Sequence, residues 1–192
     1  MTITREALPF GLRDVKVGLL DPVSFLPSVL VDLPNGQTFS FTDSEDFEVL
    51  RGDDRDVARR GKGATVEWEL EKGGISLEAY AIMAGGTVTL SGVSPAEKKS
   101  YRKRITDQRP DFWLEGQSMS ESGGDFHCVL PRCKADESLE GEMADGTFWI
   151  TSASGHGMTS LAPASDTEHF ELLYKFVHNE TATAIEVPVA VP

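Results

Sequence analysis

The sequence predicts a mainly β fold, a β-sandwich or barrel subunit with one flanking α-helix at about residues 76–84. Three observations support this prediction. Apolar and charged residues alternate strictly over residues 66–71, other short segments repeat the same period of two, and one apolar run lies between two Gly-Gly pairs. We therefore expect about eight to ten strands and one helix in a single domain that covers residues 1–192.

The predicted strand over residues 66–71 has two different faces, because successive side chains of a strand point to opposite sides. One face is apolar and should meet the core; it carries Val66, Trp68 and Leu70. The opposite face is acidic; it carries Glu67, Glu69 and Glu71.

The helix is predicted from its boundaries. Gly73-Gly74 ends the preceding strand, Ser76 is a good N-cap residue, and Glu78 places a negative charge in the first turn, where it meets the positive end of the helix dipole. Gly85-Gly86 supplies the C-terminal stop, and an extended pattern resumes at Thr87.

Composition and charge exclude several classes of function. The net charge of −13 and the pI of about 4.7 argue against general binding to nucleic acid or anionic membranes, although a passing contact with DNA remains compatible with them. No segment approaches the roughly 18 apolar residues that a membrane span needs, so we expect synthesis and assembly in a cytoplasm. Cys128 and Cys133 are too few for a four-cysteine zinc site, and we expect two free thiols.

The two ends of the chain and a segment in its first third have distinct predicted structures. Residues 1–13 are predicted to form a loosely held, flexible arm. The turn sequence Pro34-Asn35-Gly36 predicts a hairpin between residues 29–33 and 37–42, with Phe39 and Phe41 facing inward. Residues 179–192 should form an extended tail that lies on another surface.

Residues 43–63 lack periodicity and are predicted to form a long loop, which in a compact domain is usually functional or disordered. Acidic residues fill its first half and basic residues its second, which suits head-to-tail contact between copies. A solvated loop is the alternative. The loop lacks the ligand order of a calcium site, so we predict no metal. The candidate contact residues are Glu45, Asp46, Glu48, Arg51, Asp53, Asp54, Arg55, Arg59 and Arg60.

Further strands are predicted in the second half of the chain. Residues 94–110 suit a lysine-rich edge strand, which we favour, although Tyr101 and Ile105 are four apart and would also suit a helix. Residues 111–117 and 125–130 predict core strands. Asp145-Gly146 should turn the chain into a strand with Phe148 and Ile150 inward, followed by a polar loop over residues 152–164. A last strand is predicted over residues 168–177; its inward side chains would be Phe170, Leu172, Tyr174 and Phe176.

The sequence contains no motif that predicts catalysis. His156 lies in a glycine-rich segment near Ser152 and Ser154, but no orienting third group stands at a recognisable spacing. We therefore predict that the protein is not an enzyme and has no catalytic residue and no cofactor.

Several stretches together resemble the major tail tube proteins of long, non-contractile-tailed (siphovirus-type) bacteriophages, particularly those that infect actinobacteria. They are residues 38–89, FGLRDVK at 10–16, FHCVL at 126–130 and DGTFW at 145–149. The resemblance implies a structural virion protein with a β-sandwich and one helix. Six copies would form a ring around a continuous β-barrel, and stacked rings would form the tube for DNA ejection. It also implies tape measure, tail terminator and distal tail proteins as partners, and assembly in the host cytoplasm.

Within that family, residues 43–63 and both terminal arms would be candidates for contact between stacked rings. Glu67, Glu69 and Glu71 would be candidates to face the lumen, with the solvent-facing side of an outer sheet as the alternative. Inward carboxylates would repel DNA phosphates weakly, so DNA would pass without specific binding. Two alternatives remain open. One is a β-sandwich module for host-surface carbohydrate, which would need exposed aromatics that converge on a shallow site, whereas Trp68, Trp113 and Trp149 are scattered on strand patterns typical of packing residues. The other is the tube protein of a bacterial secretion system.

Overall fold

The computed structural model describes residues 5–191, and within them it contains eleven strands and one short helix. The prediction of a mainly β fold with one helix is confirmed. The elements are β1 (Pro9–Leu19), β2 (Val31–Asp32), β3 (Gly36–Gly52), β4 (Arg55–Gly73), α1 (Leu77–Ala84), β5 (Thr87–Ser91), β6 (Lys98–Arg102), β7 (Phe112–Ser120), β8 (Asp125–Lys134), β9 (Leu139–Gly141), β10 (Ile150–Gly157) and β11 (Lys175–Asn179).

Nine strands form one antiparallel sheet with the order β2-β1-β7-β8-β10-β4-β3, to which β11 and β9 add beside β8 and β10. Strand β8 changes partner along its length: residues 125–129 pair with β11, whereas Cys133 and Lys134 pair with β10. Strands β5 and β6 form a separate hairpin. Over residues 5–191 the sheet stays open and does not close into a barrel.

The sheet bends so that β7 packs face to face against β4 and β3. Trp68 of β4 contacts Phe112 of β7 edge to face, with ring centroids 5.6 Å apart, although two strands separate them in the sheet order. Phe39 of β3 lies so close to Gly116 of β7 that a Cβ atom there would be 2.3 Å from the Phe39 ring. The core therefore lies between two layers; it includes Val15, Val17, Leu33, Val66, Leu70, Leu114, Leu130 and Cys133.

The strand and helix with the clearest sequence patterns form as predicted. Val66, Trp68 and Leu70 are buried, because each points into the space between the layers. Ser76 caps the helix by accepting a hydrogen bond from the Ala79 N–H, and Gly85 ends the helix with φ at 76°. Of the lysine-rich strand predicted over residues 94–110, only Lys98–Arg102 form a strand, β6.

The predicted hairpin around Pro34-Asn35-Gly36 is wrong. Residues 31–32 pair with β1, and β3 pairs with β4, although the chain does turn at Asn35, where φ is 64°. The turn carries the chain from one layer to the other. A turn sequence specifies a reversal of direction but not the strand that becomes the partner.

Two segments predicted to be irregular are strands. Residues 9–13 of the predicted arm belong to β1, where Pro9 and Phe10 pair with Ser120 and Met119; residues 1–4 lie outside the described residues. Residues 43–63 form no loop, because they belong to β3 and β4 and to the turn between them. Both segments pair through backbone hydrogen bonds with little burial, so no apolar period of two marks them.

Predictions for the later strands are partly wrong. Phe148 is 95% exposed and Ile150 is 44% exposed, because the strand begins only at Ile150. Residues 152–157, which were predicted to form a loop, belong to β10. The strand needs small residues here, because a Cβ atom on Gly155 would lie 2.0 Å from the Lys134 carbonyl oxygen. The last strand begins at Lys175, since Glu171 has φ at 54° and turns the chain. Half-exposed side chains on the predicted inward face are Phe170 and Phe176.

Candidate assembly interface

Strands β3 and β4 continue beyond the core as a two-stranded hairpin. Asp43 opposite Val66 is the last cross-strand pair that includes a buried residue, and beyond it no residue of 44–65 is buried. At about 3.4 Å per residue, the shorter of the two strands, residues 44–52 of β3, extends about 30 Å past this point. We call residues 44–65 the projecting hairpin.

The tip of the projecting hairpin is a two-residue turn. Asp53 and Asp54 connect the strands, with φ at 49° and 61°. Positive φ at both central residues defines a type I′ turn, whose twist matches that of two paired strands. Asp tolerates this conformation better than most side chains because its short carboxylate bonds locally.

Opposite charges meet across the projecting hairpin. Arg51 Nε lies 3.0 Å from Asp56 Oδ1, and Lys62 Nζ lies 3.1 Å from Glu48 Oε2. Arg59 lies over the ring of Phe47 at 5.3 Å. The segregation of charge along the sequence therefore becomes pairing between strands, and each such exposed pair stabilises the hairpin by at most about 1 kcal/mol.

All nine candidate contact residues lie on the projecting hairpin, and all are exposed. The structure brings them onto one element without assigning them a partner. Sequence reasoning missed the apolar side chains between them: Phe47, Leu50 and Val57 are 51%, 62% and 60% exposed. One face of the hairpin has a groove of about 500 Å³, lined by Glu48, Leu50, Ala58, Arg60, Gly61 and Lys62.

The three candidate lumen residues share one face, as their alternation predicts. Glu67 and Glu69 are exposed and Glu71 is half-buried, on the side of β4 opposite to the core. Their cross-strand neighbours are also polar, so β3, β4 and β10 present a continuous carboxylate and hydroxyl surface. These neighbours are Thr38, Ser40 and Thr42 of β3 and Ser152, Ser154 and His156 of β10.

Strand β3 ends the sheet on one side. Within residues 5–191 it pairs with β4 alone, so the other edge of its 17 residues carries unpaired backbone groups. Such an edge is a template for a strand from another molecule.

The histidine and serines considered for catalysis have other partners. The Ser154 hydroxyl lies 3.0 Å from the Ser138 hydroxyl, and His156 Nδ1 lies 3.0 Å from Asp136, whose carboxylate raises the pKa of His156. In residues 5–191, no group of three or more His, Cys, Asp or Glu side chains is arranged to hold a metal ion. Burial raises the pKa of Cys128 to about 12, which keeps this thiol protonated.

A buried polar network that the sequence did not reveal holds the C-terminal segment, residues 183–191, on the outer face of β7 and β8. His127 lies between two carboxylates, with Nδ1 at 2.8 Å from Glu115 Oε1 and Nε2 at 3.2 Å from Asp125 Oδ2. Nε2 also lies 3.1 Å from the Thr183 carbonyl oxygen. The hydrogen bond to Glu115 raises the pKa of His127 more than burial lowers it, and the hydrogen bond to Asp125 raises this pKa further.

The C-terminal segment is anchored at both ends and in the middle. The Thr183 and Val191 N–H groups donate to Asp125 and Asp166, and Ile185 is buried. The tail predicted to lie on another surface is extended, and residues 183–191 lie on the chain's own sheet.

No protein-family model matches the chain, and no curated protein is significantly similar to it. Among the described residues, no helix is long and apolar enough to cross a bilayer.

Proposed function

We propose that this chain is a structural virion protein, the subunit of a phage tail tube built from stacked hexameric rings. The observation that carries the proposal is the projecting hairpin. An isolated two-stranded hairpin is at best marginally stable in water, yet this one extends about 30 Å and exposes Phe47, Leu50 and Val57. Contact with the next copy along the tube would cover these side chains.

The unpaired edge of β3 supports closure into a ring. A strand edge of 17 residues favours pairing with another chain, and uncontrolled pairing leads to aggregation. A ring removes this hazard because every subunit covers the edge of its neighbour, and it makes the sheets of all copies continuous.

The polar face of β3, β4 and β10 suits the wall of a DNA conduit. Carboxylates such as Glu67 and Glu69 repel phosphates, and none of their cross-strand neighbours on β3 and β10 is a lysine or arginine that would bind DNA by releasing counterions. In the proposed tube this face lines the lumen, so the duplex passes without being held. Tape measure, tail terminator and distal tail proteins would be its partners in the virion.

The positions of the tryptophans do not favour the carbohydrate-binding alternative. Trp68 and Trp113 are buried, and Trp149 is half-buried with its Nε1 donating to Thr151. A flat sugar platform needs exposed aromatic faces. A secretion-system tube would use the same assembly, and mass spectrometry of purified virions distinguishes it from a tail tube.

The test compares the wild-type protein with a variant in which residues 44–65 are replaced by an Asn-Gly turn between Asp43 and Val66. Electron microscopy and sedimentation velocity should find tubes or rings for the wild type, and a folded variant that forms no tubes. The control is Val23→Ser, which removes an 80% exposed apolar side chain elsewhere and should assemble normally. A wild type that stays monomeric at every concentration would overturn the proposal, as would normal tubes from the shortened variant.

A further inference from the structure

Two exposed patches of opposite charge lie on separate elements outside the projecting hairpin. The basic patch is the β5–β6 hairpin with the residues after it; its members are Leu90, Val93, Lys98, Lys99, Arg102, Lys103, Arg104 and Ile105. The acidic patch is the connection between β8 and β10; its members are Glu137, Glu140, Glu142, Met143, Asp145 and Phe148.

The basic patch combines free positive charge with apolar surface. Lys99 pairs with Glu78, and Lys103 Nζ donates to the Ala84 carbonyl, but Lys98, Arg102 and Arg104 form no ion pair with residues 5–191. Beside them Leu90 is 66% exposed, Val93 is 81% exposed and Ile105 is fully exposed. Solubility does not require this patch, because the chain has a net charge of −13.

The acidic patch has the complementary character. Residues 136–149 contain no lysine or arginine, and within the described chain Glu140, Glu142 and Asp145 form no ion pair. Asp136 is excluded from the patch because it pairs with His156. Met143 and Phe148 are 86% and 95% exposed, so this patch also presents apolar side chains among charges of one sign.

We propose that the basic patch of one copy docks on the acidic patch of the next copy. Complementary charge brings the patches together and fixes their register, while Ile105 and Phe148 lose their exposure to water in the contact. Because each copy carries both patches, one patch can bind the next copy while the other binds the preceding copy, so the contact can repeat head-to-tail, as a ring requires.

The inference rests on the proposed function, since it assigns a second contact to the same assembly. Stacked rings need two different contacts, one within a ring and one between rings. The projecting hairpin supplies the contact between rings, and the two patches add to the contact that the edge of β3 makes within a ring.

The test uses charge reversal and exchange on the full chain. Lys98→Glu with Arg102→Glu reverses the basic patch, and Glu140→Lys with Glu142→Lys reverses the acidic patch. None of these four side chains has an ion pair in the described chain, so circular dichroism should show unchanged folding. Each reversal alone should raise the concentration needed for self-association at least about tenfold, because like charges then face each other.

Two combinations should restore association: the chain that carries all four substitutions, and an equimolar mixture of the two reversed chains. The matched control for the reversed acidic patch, Glu121→Lys with Glu180→Lys, makes the same change in net charge at exposed sites outside that patch and should assemble normally. Assembly of the wild type and of both reversed chains alike would overturn this inference and leave the proposed function standing. If the reversed chains fail to associate and neither combination restores association, the inference is also overturned, since the basic patch would then face another partner. A wild type that never associates would overturn both proposals.

Discussion

The backbone N–H of Thr183 donates a 2.7 Å hydrogen bond to the fully buried carboxylate of Asp125. The same carboxylate accepts from Gln117 and Asn179. Burial alone would raise the pKa of Asp125, but the bonds from Thr183, Asn179 and Gln117 lower it. A segment 58 residues away in sequence is thereby held on strand β8, which makes the C-terminal segment part of the fold.

Replacing Asp125 with Asn should reduce the free energy of unfolding by about 3 kcal/mol, because one carboxylate oxygen becomes an NH2 group, which leaves at least one of the surrounding donors without its acceptor. Denaturant unfolding measures the loss, and hydrogen exchange should show faster exchange over residues 183–191. The control is Asp136→Asn, which breaks the more exposed pair with His156 and should cost less than about 1 kcal/mol. Equal losses would contradict the anchoring role of Asp125.

Stability should depend on pH through His127 and Asp125. The raised pKa of His127 gives stabilisation that is complete below about pH 6.5 and is lost as the pH rises through the folded-state pKa. The lowered pKa of Asp125 gives stabilisation that is present above about pH 3.9 and is lost as the pH falls through its folded-state pKa. Thermal unfolding should therefore have its highest midpoint between these limits.

His127→Gln should reduce the decline of the midpoint on the alkaline side. His156→Gln is the control, because the partly exposed pair of His156 with Asp136 should contribute little. An alkaline decline that is unchanged in His127→Gln would show that another group titrates there.

Gly116→Ala should destabilise the fold by about 1–3 kcal/mol, because its Cβ would lie 2.3 Å from the Phe39 ring across the two layers. Phe39→Leu in the same chain should recover part of the loss, as measured by denaturant unfolding. Gly73→Ala is the matched control, since its Cβ would have no neighbour closer than 3.6 Å. A Gly116→Ala chain as stable as the control would contradict the packing of β3 on β7.

Two tryptophans with equal burial should respond differently to replacement by Phe. Trp68 Nε1 has no hydrogen-bond partner among the described residues, whereas Trp113 Nε1 donates to Glu115 Oε2 at 3.2 Å. Trp113→Phe should cost about 1–2 kcal/mol more than Trp68→Phe, because it also removes a bond to a buried carboxylate. Denaturant unfolding of both variants measures the difference, and a larger loss for Trp68→Phe would contradict the assignment of these bonds.

Sequence patterns predicted the elements that have one buried and one exposed face. The alternation around Trp68 and the boundaries of the helix at Ser76 and Gly85 correspond to local physics, namely side-chain period and capping, so no distant residue was needed to recognise them. The same alternation placed Glu67, Glu69 and Glu71 together on the opposite face.

The projecting hairpin was not recognisable as a hairpin, although its charged residues were singled out. Its strands are exposed on both faces, so apolar residues do not recur at every second position, and the segregated charges are consistent with both a loop and a ladder of pairs such as Arg51 with Asp56. The signal available in the sequence was Asp53-Asp54 between an acidic and a basic run of similar length.

The sequence by itself determined the mainly β class, the single helix and the positions of the best-patterned strands, because these depend on neighbours within a few residues. Only the tertiary structure decided that β2 pairs with β1, that Phe39 packs on Gly116, and that residues 183–191 fasten to Asp125 and Asp166. These contacts join segments far apart in the chain, and their free energy depends on the simultaneous fit of both layers, which no local pattern of residues encodes.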